Sequence, residues 1–205
     1  MKIIVITGAL GYIGTELCKL YSGFSWKYEV IAIDNRFISE RVNELKRRKI
    51  KFIQADILDI DSIKPYLEKA EVVHHLAGVT DVAYVKKEAD KKKDDLTVKV
   101  AIEGTANILK SMNADATIVF PSTHVVFEGL KEQKENLDEE EKTNTFLAYS
   151  TSKVENESQI IKSGKNYVIF RLGSVYGFST DTMRMNIMPN LFSKIASQNG
   201  KIKLF

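Results

Sequence analysis

Cysteine is almost missing from this 205-residue chain: Cys18 stands alone, so no internal disulfide can form. Its expected role is that of a small apolar residue on a helix, and a reducing, cytoplasmic setting is the default expectation. No apolar run approaches the roughly 18 residues that a membrane helix needs. The N-terminus leads directly into a strand-like stretch, without the basic and apolar regions of a secretory signal. Membrane and secreted classes are therefore not expected. An excess of charge is lacking too, since 30 Lys and Arg against 27 Asp and Glu leave a net charge of +3. The short basic clusters at 46–49 and 91–93 have acidic neighbours and read as solvated helix faces, so no nucleic-acid partner is expected.

What remains is the composition of an ordinary globular protein, 44% apolar and 28% charged. Short apolar runs suited to buried parallel strands recur at Ile3–Ile6, Val30–Ile33, Phe52–Ile53, Val72–Val73, Thr117–Phe120 and Val168–Phe170. Helical periodicity fills the gaps, over Tyr12–Tyr21, Ser39–Arg48, Ile60–Lys69, Leu96–Met112 and Ala148–Lys162. Such alternation predicts an α/β fold: a doubly wound parallel sheet covered on both faces. Residues 1–177 form the expected main domain. Residues 178–205 hold one expected helix, Asn186–Gln198, and a strand-like start at Lys201–Phe205, and are expected to begin a small C-terminal lobe, here truncated. The acidic, apolar-poor stretch Glu128–Asn144 reads as an exposed loop.

Two stretches carry most of the chemistry. In the first, Gly8-x-x-Gly11-x-x-Gly14 follows a strand and opens a helix, the context in which such glycines cradle a dinucleotide pyrophosphate. Gly8 permits a tight turn, Gly11 lets backbone approach phosphate, and Gly14 lets the helix pack closely. Asp34 ends the second strand about 20 residues past Gly14, where a carboxylate accepts the adenosine ribose hydroxyls and disfavours a 2′-phosphate. NAD is thus expected rather than NADP, a preference that nearby Arg36 tempers. Asp56, after the third strand, is placed to accept from an adenine amino group. Ala77 and Gly78 offer clearance beside the cofactor at the end of the fourth strand. His74 and His75 are adjacent on one strand, so their side chains face opposite ways, and no metal site is expected.

The second stretch is Tyr149-Ser150-Thr151-Ser152-Lys153, with a phenol and an amine one helical turn apart. An ammonium there is expected to lower the phenol's pKa and make Tyr149 a proton donor and acceptor. Thr123 closes the fifth strand, where its hydroxyl can meet the reacting oxygen of a substrate. A Gly-x-Ser-x-Gly elbow is absent, which argues against hydrolase chemistry. Taken together these residues imply redox chemistry at a carbinol carbon.

The chain resembles the extended short-chain dehydrogenases/reductases, especially nucleotide-sugar epimerases and dehydratases. The matching pieces are Thr7–Gly14, Asp34-Asn35, Asp56-Ile57, His75–Gly78, Gly104–Asn107, Ser122-Thr123, Tyr149–Lys153 with Glu157, and Arg171–Gly177. The resemblance implies a sheet of Rossmann type, with NAD held by Gly8, Gly11, Tyr12, Ile13, Gly14, Asp34, Asn35, Asp56, Ile57, Leu76, Ala77, Gly78, Tyr149 and Lys153. It implies catalysis by Thr123, Tyr149 and Lys153, with a nucleotide-sugar substrate touching Thr123 and Asn186. It further implies a homodimer through a helix bundle.

Where such dehydratases follow the threonine with Asp-Glu, this chain has His124-Val125, so water elimination is disfavoured. Ala101 and Ser174 replace asparagines that help position substrate in the family. The expected activity is epimerisation through transient hydride transfer. The alternatives are reduction of a keto sugar or other carbonyl, and a non-catalytic NAD-binding module.

Overall fold

The computed structural model describes residues 1–80, 91–179, 182–185 and 187–202. Six strands, β1 (Lys2–Thr7), β2 (Tyr28–Asp34), β3 (Lys51–Gln54), β4 (Val72–His75), β5 (Thr117–Thr123) and β6 (Asn166–Leu172), form one sheet in the order β3-β2-β1-β4-β5-β6. Every neighbouring pair is parallel. The helices are α1 (Tyr12–Ser22), α2 (Ser39–Arg47), α3 (Ile60–Leu67), α4 (Lys91–Ser111), α5 (Ala148–Lys162) and α6 (Met188–Ser197).

The alternation of side chains along β1 sorts the core into two layers. Ile4 and Ile6 face one way and pack with Leu10, Cys18, Val30, Val42 and Leu45, beneath α1 and α2. Val5 faces the other way and packs with Ile31, Ile33, Ile63, Val73, Ile108, Phe120 and Ile160, beneath α3, α4 and α5. A strand buried on both faces must be apolar at nearly every position, as Ile3–Ile6 and Val30–Ile33 are. Cys18 is fully buried, and burial pushes its thiol pKa up to about 12, which leaves it protonated.

Beta-6 departs from the expected pattern. Its apolar run predicts a buried strand, but it is an edge strand on which Tyr167, Val168 and Phe170 are 45%, 40% and 51% exposed. Only β5 flanks it among the described residues, so its apolar run has less to pack against. Helix α4 is already formed at Lys91, five residues before its apolar periodicity suggests, with Lys91–Lys93 exposed as a solvated turn. Lys201 and Ile202 have no regular structure, and 203–205 lie outside the described residues.

Strand order reverses between β1 and β4. Their carboxyl ends, Thr7 and His75, are paired in register, and α1 begins beside them. In open α/β sheets this reversal leaves a crevice suited to ligands.

Candidate functional site

The glycine turn is shaped by its own backbone. Gly8 adopts φ +68°, and a Cβ there would lie 2.7 Å from Ala77 N. A Cβ on Gly14 would come within 2.4 Å of Gly8 O, so only glycine lets α1 start this close to the turn. Gly11 is the N-cap of α1 and has no side chain to satisfy the helix's first N–H groups. Those donors, together with the positive end of the helix dipole, form an anion cradle. On Gly78 a Cβ would meet nothing within 4 Å, the clearance expected beside a bound ligand. These features fit a dinucleotide pyrophosphate.

Beneath the cradle runs a buried polar chain. Ala77 N donates to Thr7 Oγ1 (3.2 Å), and Thr7 Oγ1 lies 3.0 Å from His75 Nδ1. His75 Nε2 lies 3.0 Å from Thr105 Oγ1. Asn156 is oriented by its surroundings: its amide oxygen accepts from Thr105 Oγ1 at 3.0 Å and its nitrogen donates to Ser152 O at 2.9 Å. This sequence of donors fixes His75 as the neutral Nε2–H tautomer. Burial, with the charge of Lys153 adding to it, pushes the His75 pKa down to about 3. His74 faces the other layer, 2.7 Å from Tyr21 Oη, and its pKa is lowered by burial.

At the ribose edge, Asp34 is buried and fully engaged. Its carboxylate accepts from Leu10 N, Arg36 N and the Arg36 guanidinium. Asp56 accepts from Asn35 Nδ2 (3.1 Å) and Leu58 N (2.9 Å), so both of its oxygens have partners within the chain. The Ile57 side chain is buried in the space that Gly104 leaves, and Asn107 Nδ2 donates to the Ile57 carbonyl at 2.9 Å. Leu76 packs on the α1–α2 layer. Tyr12 points its hydroxyl at Gly177 O (2.5 Å), tying α1 to the segment after β6. Ile13 lines a surface groove with Val175, Tyr176 and Phe178.

The structure brings Thr123, Tyr149 and Lys153 together. Thr123 is buried at the carboxyl end of β5, where its hydroxyl accepts from Val125 N at 3.3 Å and works to favour ionisation of Tyr149. Lys153 donates from Nζ to Pro121 O at 2.8 Å and sits 4.3 Å from the Phe120 ring centroid. Its pKa is lowered to about 8 by burial, opposed by the charge of Glu157.

Contrary to the sequence expectation, Lys153 is not what moves the Tyr149 pKa. Burial raises the Tyr149 pKa, and the groups that work against burial are Arg184 and Thr123. Lys153 Nζ lies 5.7 Å from the Tyr149 ring centroid and is directed at the Pro121 carbonyl instead.

Two acidic residues hold this arrangement in place. Glu157 is buried on α5, accepts from Ser122 Oγ, and pairs with Arg171 through Nη2 (2.8 Å) and Nε (3.2 Å). It thereby joins α5 to β5 and β6. Glu128 accepts from Phe146 N, Leu147 N and Ser150 Oγ, so it caps α5 from the far side of the loop. Leu147, at the N-cap position, supplies no side-chain bond.

Reasoning from sequence missed Arg184, Glu128 and the commitment of Arg36 to Asp34. Arg184 lies where no periodicity signals it, and it approaches the site while donating to Thr80 O at 3.2 Å. In the sequence Glu128 belongs to an acidic stretch with the pattern of an exposed loop. It lies 19 residues before the N-cap of α5, too far for a local capping pattern to signal it. Asn186 lies outside the described residues.

A parallel sheet of this order, with a glycine turn at its reversal and a Thr–Tyr–Lys cluster across the crevice, defines a Rossmann-type dinucleotide-binding protein. The chain belongs to the NAD dependent epimerase/dehydratase family, whose model matches residues 4–205, and its cofactor is NAD. It is 34% identical to UDP-glucose 4-epimerase of Bacillus subtilis over 88 residues, 38% of this chain and 25% of that protein.

The UDP-glucose 4-epimerase of Thermotoga maritima, solved with UDP-glucose, shares the fold with a TM-score of 0.80 and 22% identity. That match covers 99% of this chain and 65% of the other. The UDP-glucuronic acid 4-epimerase of Bacillus cereus, solved with UDP-glucuronic acid and NAD, gives 0.77 and 24%, over 97% of this chain and 64% of the other. The chain therefore spans less than two thirds of the length of these solved relatives, and the matched stretches are 25% to 32% of the curated ones. No helix among the described residues is long and apolar enough to cross a membrane.

Proposed function

We propose that this chain is the cofactor-binding part of an NAD-dependent epimerase acting on a hexose carried by a nucleoside diphosphate. The observation that carries this reading is the meeting of Thr123, Tyr149 and Lys153 at the carboxyl edge of β5, across the crevice from the glycine turn. In this reading Gly8, Gly11, Gly14 and the α1 N-terminus hold the pyrophosphate, Asp34 meets the adenosine ribose, and Gly78 leaves room for the dinucleotide. NAD supplies a hydride acceptor that can later return the hydride to either face of the same carbon.

The chain's own residues manage the proton. Thr123 receives the substrate oxygen, and Tyr149 takes the hydroxyl proton as the carbon gives up its hydride, then returns it. Burial works against a phenolate at Tyr149, and Arg184 and Thr123 offset part of that cost. Lys153, with a pKa near 8, is mostly protonated at neutral pH and is oriented by the Pro121 carbonyl. Residues 178–205 begin the substrate lobe in this reading, with α6 tied to Gly177 through Asn190 Oδ1 (3.1 Å).

The test is to incubate the purified chain, loaded with NAD, with UDP-glucose and with UDP-glucuronic acid. Proton NMR would follow the sugar and absorbance the cofactor. An epimer appearing without net NADH supports the proposal. Stoichiometric consumption of NADH with a keto substrate would replace it with the reductase reading. Tightly bound NAD with no turnover of any sugar would replace it with the binding module.

A further inference from the structure

A buried polar thread runs from the glycine turn to the helix that carries Tyr149 and Lys153. Its members are Thr7, His75, Thr105 and Asn156, none of them more than 3% exposed. The two ends fix its direction. At the first, Ala77 N can only donate, and it donates to Thr7 Oγ1. At the other, the carbonyls of Ser152 (2.9 Å) and Ala101 (3.3 Å) can only accept, and the Asn156 amide nitrogen donates to both. Between them Thr7 donates to His75 Nδ1, His75 Nε2 to Thr105 Oγ1, and Thr105 Oγ1 to the Asn156 amide oxygen. Every polar side-chain atom of the four has a partner, and a fully satisfied buried network rigidifies what it joins.

What it joins is the turn after β1, the end of β4, and the two helices α4 and α5. Tyr149, Lys153 and Asn156 stand at i, i+4 and i+7, so they share one stripe of α5. The stripe has its chemistry at one end and its anchor at the other. Glu157, the next residue, holds the adjacent face of α5 to Ser122 and Arg171. Asn156 against α4 and Glu157 against β5 and β6 thus fix α5 from two directions and set its rotation about its own axis. The middle of the thread also shares a wall with the amine. The His75 ring lies 5.7 Å from the Phe120 ring, over which Lys153 Nζ sits at 4.3 Å.

We infer that Asn156 is a positioning residue for the reaction: it closes the thread and so holds the face of α5 on which Tyr149 and Lys153 meet the crevice. The inference rests on the roles proposed above for those two residues. Displacing a reacting group by about 1 Å is enough to cost orders of magnitude in rate. Asn156 itself is buried away from the crevice, so its loss should slow the reaction without weakening either ligand.

Two substitutions break the thread at different links. Asn156→Leu keeps the volume and removes both hydrogen-bonding functions, while Thr105→Val acts one step earlier with a side chain of the same shape. Each variant and the double variant, shown to be folded by circular dichroism, is compared with the wild type as the NAD-loaded chain turning over UDP-glucose and UDP-glucuronic acid. In each single variant kcat should fall about tenfold, with KM and the NAD Kd held within about threefold. The double variant should be no slower than the slower single one, because both changes break one thread. Thr105→Ser keeps the hydroxyl and should keep the wild-type rate.

A second readout needs no turnover. The Cε resonance of Lys153, assigned by its loss in Lys153→Met, should titrate at about 8 in the wild type, where burial lowers the pKa against the charge of Glu157. The titratable groups around that amine include Tyr149 and Glu157 on α5 and His75 on β4, and neither substitution alters them. Loosening α5 admits water to the amine and should raise the midpoint by about half a unit or more in both single variants. Folded variants whose Lys153 midpoint stays within about 0.2 unit of the wild type overturn the inference, as do single losses that multiply in the double variant. If the wild type turns over neither sugar, the proposed function fails, and the Lys153 titration still decides whether Asn156 places this face of α5.

Discussion

Acidification should single out His75. Its imidazole is fully buried between Thr7 and Thr105, and its pKa is pushed down from 6.5 to about 3. In the unfolded chain the same ring takes up a proton as pH falls through 6.5, while the folded chain declines it until near 3. The unfolded state thus binds more protons across that window, and stability falls as the pH drops through it. Each unit of that window costs about 1.4 kcal/mol, so at pH 5 the loss from this one group is about 2 kcal/mol. That figure does not depend on the folded pKa as long as it lies well below 5.

The comparison is between the wild type and His75→Gln, whose amide keeps one acceptor and one donor for the two threonines. Both should be unfolded with urea near pH 7.5 and near pH 5. Far-UV circular dichroism is the suitable probe, because the single tryptophan, Trp26, is 75% exposed and reports little about the core. The variant starts less stable but should lose about 2 kcal/mol less on acidification. His74 and His124 are common to both proteins and cancel in the difference. Equal losses in the two proteins, within about 0.5 kcal/mol, would refute a buried neutral His75.

Four further outcomes follow from the site geometry. Tyr149→Phe should abolish turnover while leaving NAD affinity within about threefold, since only the phenolic O–H is removed; equilibrium dialysis checks the binding, and lost NAD affinity would contradict the assigned role. Gly14→Ala should cost several kcal/mol or prevent folding, because its Cβ would lie 2.4 Å from Gly8 O. Gly78→Ala adds a Cβ that meets nothing within 4 Å and should keep wild-type stability within about 1 kcal/mol while weakening dinucleotide affinity; thermal melts and calorimetry distinguish the two glycines. Glu157→Ala leaves the partly buried Arg171 with the Glu139 carbonyl but no carboxylate, removes the bond from Ser122, and should cost about 2 kcal/mol in urea unfolding.

The apolar runs at β1 and β2, the glycine spacing after β1 and the Tyr149–Lys153 turn were legible without coordinates. Each is a local rule: a strand buried on both faces must be apolar, a turn at φ +68° wants glycine, and residues four apart share a helix face. Rules of that kind need only a few consecutive residues, so the fold class and the cluster of chemistry were within reach of the chain alone.

What the chain alone did not disclose depends on residues distant in sequence. The Tyr149 phenol is pushed up by burial and eased by Arg184, which is 35 positions away and signalled by no pattern. Asp34 reads as a free ribose acceptor until the turn at Leu10 and the exposed arm of Arg36 are folded onto it. Beta-6 reads as buried because its composition matches the other strands, yet only its place at the sheet edge decides its exposure. Sequence determined which groups the site contains, because backbone periodicity is local. Tertiary structure decided their charge states and partners, because desolvation and Coulomb interactions act through space rather than along the chain.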